Sequence, residues 1–125
     1  MGRRGPDAKG IYRFQLAGDR GEVCLLHTRL SIIDLDARAG QPFRFGSKVM
    51  VFNGELYNYV EIRGELASRG RTFRTTSDTE VLIQCLDEYG PEGLDRCEGM
   101  WAFALFDEND GSLLLARDRF GEKPL

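Results

Sequence analysis

An α+β fold built on antiparallel sheet is what this chain predicts, and three observations carry that expectation. Residues 11–17 and 22–30 alternate apolar and polar side chains on either side of Gly18-Asp19-Arg20-Gly21, the pattern of an antiparallel hairpin. Residues 100–107 and 112–117 flank Glu108-Asn109-Asp110-Gly111 and are apolar at nearly every position. They read as a second hairpin closed by a type I turn plus bulge, covered on one face by helices and on the other by another sheet. Between the hairpins, Ser77-Asp78-Thr79-Glu80 has the spacing of a helix capping box, and Val81, Leu82, Cys85 and Leu86 follow at helical spacing until Gly90-Pro91 stops the run.

The remaining elements follow in order. Residues 1–9 are polar, with Gly5-Pro6-Asp7 as a turn or ligand-facing loop, and residues 31–35 carry an apolar stretch into a Gly40-Gln41-Pro42 loop. Residues 48–52 read as a strand. A first helix is expected over 59–69, with Tyr59, Ile62 and Leu66 on one face, Asn58 as its N-cap with Glu61 three residues on, and Gly70 just past its end. Residues 72–75 look briefly extended, and a short helical turn is expected at 94–97.

At 125 residues the chain is one domain's worth, residues 1–125, and its 42% hydrophobic and 30% charged composition is that of a soluble globular protein. A net charge of −3 without a basic stripe argues against a nucleic-acid partner, and no apolar run approaches membrane-spanning length. Cys24, Cys85 and Cys97 are odd in number and share no close spacing, which argues against a disulfide framework and a zinc site and suits a reducing cytoplasm. No metal site is expected.

The most informative stretch is Val51-Phe52-Asn53-Gly54-Glu55-Leu56-Tyr57-Asn58-Tyr59. An apolar run meets Asn-Gly, then a carboxylate, then a helix start, so the chain is expected to leave the strand at a corner exposing a side-chain amide beside a Gly N–H. Such a donor pair suits a developing oxyanion. Taken alone, Asn-Gly is a turn, Glu55 a solvated loop acid, Asp78 a helix N-terminal acid favoured by the dipole, and Arg29 a surface cation at a strand end.

Six blocks in sequence change that balance. Arg4-Gly5-Pro6-Asp7, Arg29-Leu30-Ser31-Ile32-Ile33-Asp34, Gly40-Gln41-Pro42, Phe52 to Tyr59, Ser77-Asp78-Thr79-Glu80 and Ala116 to Leu125 together resemble the glutamine-hydrolysing domain of asparagine synthases, class II amidotransferases of the N-terminal-nucleophile type. Phe52 and Glu55 resemble the asparagine synthase branch in particular. The resemblance implies a four-layer αββα sandwich of two antiparallel sheets flanked by helices. It also implies that a thiolate attacks the glutamine side-chain amide, releasing ammonia. Asn53 and Gly54 would form the oxyanion hole, Arg29 would pair with the α-carboxylate of glutamine, and Glu55 and Asp78 would bind its α-ammonium. His27 is expected to pack or hydrogen-bond rather than transfer protons.

The same resemblance implies a nucleophilic cysteine at the very N-terminus, where this chain reads Met1-Gly2-Arg3-Arg4, with Arg3 in the place of the family's usual His. Cys24, Cys85 and Cys97 match no catalytic position. The expectation is a domain that lacks its first strand and C-terminal part and is inactive as it stands, being a fragment or a mis-started reading frame. No cofactor is expected in this chain; ATP and Mg are expected only in a synthetase domain, for which no Ser-Gly-Gly-x-Asp-Ser run is present. The implied partners are L-glutamine, the synthetase domain of a full-length protein and, as an open alternative, a second copy in a homodimer. Two other functions stay open: a non-catalytic glutamine-binding or regulatory domain, and an amidotransferase of the same branch with another acceptor.

Overall fold

The computed structural model of the chain describes residues 8–29 and 40–125; the polar start and the apolar stretch at 31–35 lie outside the described residues. In chain order the elements are β1 (Ala8–Gln15), β2 (Glu22–Arg29), β3 (Phe43–Phe45), β4 (Lys48–Leu56), α1 (Tyr59–Ser68), α2 (Asp78–Tyr89), a 3-10 helix (Gly90–Arg96), β5 (Gly99–Asp107) and β6 (Ser112–Arg117). β1 and β2 pair as one antiparallel sheet, and β3, β4, β5 and β6 form a second in that order.

Strand alternation decides how the layers stack. On β1 and β2, Tyr12, Phe14, Val23 and Leu25 turn inward, while Ile11, Arg13, Cys24 and Leu26 face out. The inward set meets Val49, Val51, Ala104 and Phe106 of the larger sheet, with the Tyr12 and Phe14 rings tilted against Phe106 at 6.3 and 5.1 Å between centroids. The opposite face of that sheet, from Met50, Phe52 and Leu56 to Trp101, Phe103 and Leu105, packs on Ile62 and Leu66 of α1 and on Val81, Leu82, Cys85 and Leu86 of α2. The α+β expectation therefore holds, with two antiparallel sheets face to face and helices over the larger one. β5 is apolar on both faces because it is covered on both.

β6 is covered on one side only. Leu114 and Ala116 pack toward the helices, but Leu113 and Leu115, opposite Phe106 and Ala104, remain 47% and 54% exposed, beyond the reach of the two-stranded sheet. A polar clasp holds the sheets together at one edge: the Tyr12 hydroxyl donates to Glu108, which also takes both prongs of Arg44 at 3.1 and 2.7 Å.

Several local expectations are corrected. β3 was not foreseen; it is three residues long and reaches β4 through a two-residue turn at Gly46-Ser47. β4 does not stop at Phe52 but runs on through Asn53 and Gly54 to Leu56, so the corner is part of the strand. It continues because Asn53, Gly54, Glu55 and Leu56 keep pairing with Ala102, Trp101, Met100 and Gly99, and glycines at two of these positions let the backbones approach. Gly54 has φ +145° and a Cβ there would stand 2.0 Å from the Met100 carbonyl oxygen; at Gly99, φ is +154° and a Cβ would stand 2.1 Å from the Glu55 carbonyl oxygen.

Asn58 precedes α1 but does not cap it with its side chain. Its amide instead ties α1 to the entry of β5, donating to the Arg96 carbonyl at 2.8 Å and accepting from Glu98 N–H at 2.9 Å. Ser77 does cap α2, accepting from Thr79 N–H at 3.0 Å. Glu80, however, reaches past it to Arg74 N–H, Thr75 N–H and the Thr75 hydroxyl at 2.9, 2.7 and 2.6 Å. That buried carboxylate shapes residues 72–75, which are irregular rather than strand. The helical turn expected at 94–97 begins earlier, directly after α2, because Gly90 and Pro91 end the α-helix and seed the tighter 3-10 one.

Two glycines give opposite predictions. Gly99→Ala is expected to destabilise the fold by about 3 kcal/mol through strain and overlap with the Glu55 backbone. Gly64→Ala, in α1 with nothing near its missing Cβ, is expected to stabilise by about 0.5–1 kcal/mol. Urea unfolding midpoints of the two variants against the parent check both signs.

Candidate functional site

The open side of β4 beyond β3 organises the site. In an antiparallel pair, alternate residues turn both backbone polar groups toward one neighbour. Trp101 N–H donates to the Asp118 carboxylate at 3.1 Å and Trp101 C=O accepts from Asp118 N–H at 2.7 Å, so Trp101 faces away from β4. Gly54, its partner across the pair, therefore turns its own N–H and C=O to the free edge, as do Phe52 and Leu56.

That edge is capped by side chains from three other parts of the chain. Phe52 N–H donates to Gln41 Oε1 at 2.5 Å, and Phe52 C=O is bonded by His27 Nε2 at 2.9 Å. Leu56 N–H donates to Asp78 Oδ2 at 3.0 Å. Between them, among the described residues, nothing accepts from Gly54 N–H, and the exposed Asn53 amide beside it makes no hydrogen bond. Gln41 is in turn oriented by donating to the Thr79 hydroxyl at 3.4 Å. The strand thus presents one backbone N–H and one side-chain amide in sequence, in a frame whose other donors are already satisfied.

Two carboxylates share the next position along. Glu55 follows Gly54 and is half-buried; Asp78 opens α2 and is buried. Burial pushes the Asp78 carboxyl above the ordinary Asp value and the nearby Glu55 charge pushes the same way, opposed by N–H groups from Leu56, Thr79 and Asp78 itself. An acid pair in that condition is stabilised by a cation placed between the two groups. Arg29 is the last residue of β2, two positions after His27, and its side chain lies outside the described residues. The structure thus places Asn53, Gly54 and Glu55 consecutively on one strand end and brings Asp78 to them through the Leu56 N–H.

Three supporting residues were not assigned these partners from sequence. Gln41 stood in a recognised motif without a role; a lone amide between two turn formers was its only signal. His27 was given a hydrogen-bonding role, but not the Phe52 carbonyl that it holds. Asp118 was also unassigned, yet its buried carboxylate accepts from Trp101, Phe120, Glu122 and Lys123 N–H at 3.1, 3.1, 3.0 and 3.2 Å. Those backbone donors, Glu122 first, hold its carboxyl below the ordinary Asp value. An Asp directly after a strand, with Gly121 three residues on, is the local signal for such a loop-organising acceptor.

None of the cysteines lies beside Asn53 in this arrangement: Cys24 is exposed on the outer face of β2, and Cys85 and Cys97 both turn to the Gly93 carbonyl. Among the described residues no three His, Cys, Asp or Glu side chains cluster as a metal site, and no helix is long and apolar enough to cross a membrane.

Asp78 gives a stability prediction with a defined sign. A carboxyl whose folded pKa is raised favours the native state below its unfolded value, and that contribution is lost as pH rises through the folded value. Asp78→Asn can still accept from Leu56 N–H and carries no charge. The variant should therefore unfold at the same or a higher temperature than the parent at pH 7, with the difference shrinking as pH falls below the carboxylate range. Thermal melts across that range check it.

Comparison with known proteins identifies the family. A family model described as a glutamine amidotransferase domain matches residues 1–125. Asparagine synthetase [glutamine-hydrolyzing] 1 of Bacillus subtilis (strain 168) is 43% identical over 124 residues, covering 98% of this chain and 18% of the relative. Asparagine synthetase B [glutamine-hydrolyzing] of Escherichia coli (strain K12) is 44% identical over 127 residues, covering 100% of this chain and 22% of the relative. The chain thus spans about a fifth of the length of the curated relatives it matches. Among solved structures, glutamine phosphoribosylpyrophosphate amidotransferase from B. subtilis, complexed with ADP and GMP, superposes with a TM-score of 0.61 at 25% identity, covering 76% of this chain and 23% of that one. The chain belongs to the glutamine amidotransferase domain family.

Proposed function

We propose that this domain binds free L-glutamine at the end of β4 and contributes the oxyanion-stabilising half of a glutaminase site. The carrying observation is the Gly54 N–H, which nothing among the described residues caps, flanked on one side by the Asn53 amide and on the other by the Glu55–Asp78 pair. In this reading the α-ammonium of glutamine sits against Glu55 and Asp78, relieving the charge that burial disfavours. Arg29 pairs with the α-carboxylate by its planar fork. Reading both backbone ends as charges selects a free amino acid over a peptide.

The side-chain amide then lies against Asn53 and Gly54. When a thiolate attacks the amide carbon, negative charge develops on the carbonyl oxygen, and two donors already fixed in place stabilise it without reorganising. Collapse of that intermediate breaks the C–N bond, ammonia leaves with a proton, and water hydrolyses the thioester to glutamate. The nucleophile in this reading is a cysteine at a chain N-terminus whose own α-amino group is the base, not Cys24, Cys85 or Cys97. His27 and Gln41 act through Phe52 by holding the peptide that precedes Asn53. The relatives named as glutamine-hydrolyzing asparagine synthetases support transfer of the ammonia to aspartate in a full-length protein; ATP and Mg would belong to its synthetase domain.

Calorimetry with L-glutamine on this chain, and ammonia release by the full-length gene product, test the reading. Glu55→Ala and Arg29→Ala should each weaken glutamine binding at least about tenfold, the loss of one charge-assisted contact. Asn53→Ala should lower kcat by about 10²–10³-fold with a much smaller change in KM. Unchanged affinity in both charge variants overturns the pocket. Glutamine binding by a full-length product that releases no ammonia selects the regulatory alternative.

A further inference from the structure

The far end of α2 holds a pair of sulfurs that the glutamine site does not use. Cys85 is fully buried on α2, and Cys97 is half-buried just past the 3-10 helix. Both sulfurs converge on one acceptor, the Gly93 carbonyl, at 3.6 and 3.5 Å. A Cβ at Gly93 would stand 3.2 Å from Cys85 Sγ, so glycine leaves that sulfur room. We propose that Cys85 and Cys97 form a reversible dithiol–disulfide site whose oxidant is a peroxide.

The geometry meets one demand of such a bond, which is that both sulfurs are held at a common point, here the Gly93 carbonyl oxygen. The 3-10 helix folds the chain back on the last turns of α2, and Cys97 N–H is fixed to the Leu94 carbonyl at 3.0 Å. Cys97, the half-exposed member, gives a water-sized oxidant its way in. The neighbouring Cys97 side chain holds the Cys85 thiol below its ordinary value against the cost of burial, the Arg96 guanidinium, stacked 4.2 Å over the Tyr89 ring, pulls the same way, and the Cys97 thiol is itself pushed up.

The chemistry balances without further partners. One sulfur attacks the peroxide O–O bond, becoming a sulfenic acid as the first water leaves. The second thiol attacks that sulfur, and its proton departs with the hydroxyl as the second water. Two thiols and one peroxide give one disulfide and two waters. The closed bridge would tie α2 to the segment at 96–98, which is itself stitched to residues 57 and 58 by Asn58 and by Tyr57 N–H on the Glu98 carbonyl at 2.7 Å. Nothing in this inference depends on how the glutamine pocket is read.

The test is limited oxidation of the reduced protein with hydrogen peroxide, followed by alkylation and peptide mapping. The expected product is monomeric, lighter by two hydrogen atoms, with one alkylatable thiol, Cys24, in place of the three cysteines of the sequence. Its Cys85 and Cys97 peptides are linked, and dithiothreitol restores all three thiols. Cys97→Ser should abolish the link. Accumulation of sulfinic acid at Cys97 with no linked peptide overturns the proposal, as does a product whose links run through Cys24 between molecules.

Discussion

The rest of the site depends on how β4 disposes of its backbone once β3 has ended. A central strand has partners on both sides, but from Phe52 onward β4 keeps only β5. Its outward N–H and C=O groups must then find side chains or water, because buried backbone polar groups left unpaired cost as much as the hydrogen bonds they lack. Gln41, His27 and Asp78 reach in from the 40–42 loop, β2 and α2 to answer that need. Gly54 is the one position of the three whose N–H meets no group among the described residues. The bonds at Phe52 and Leu56 hold the strand end in place on either side of it.

The acid at the start of α2 shows how stability and recognition oppose each other here. Asp78 earns its place in the fold as an acceptor for Leu56 N–H, and helix position favours its charge. Burial and the adjacent Glu55 act against that charge. A neutral amide would serve the fold at least as well. Glu80, two residues on, is the contrasting case: it is equally buried, but its oxygens are occupied by the 74–75 backbone and the Thr75 hydroxyl, leaving no acceptor to offer a ligand.

Much of this was legible from residue order. The hairpin of β1 and β2, the bounds of α2 and the two-sided cover of β5 follow from periodicity and turn chemistry, which are local. Asn53, Gly54, Glu55 and Asp78 were legible as a set through the order of the motifs. The continuation of β4 through Asn-Gly was not, because it depends on Gly99 lying opposite, forty-odd residues away in sequence. The diversion of Asn58 from capping to bridging has the same origin, since the Arg96 carbonyl and Glu98 N–H compete for its amide only in the folded state. β3 is too short to carry a period of its own and exists only because β4 offers it an edge.

The uneven cover over β6 has a consequence for how this molecule behaves among its neighbours. Leu113 and Leu115 lie on the same face as the buried Phe106 and Ala104 but meet solvent, on a strand whose outer backbone has no partner among the described residues. Apolar side chains and open hydrogen-bonding groups in one line make an adhesive rim. Such a rim favours contact with another apolar surface over exposure to water.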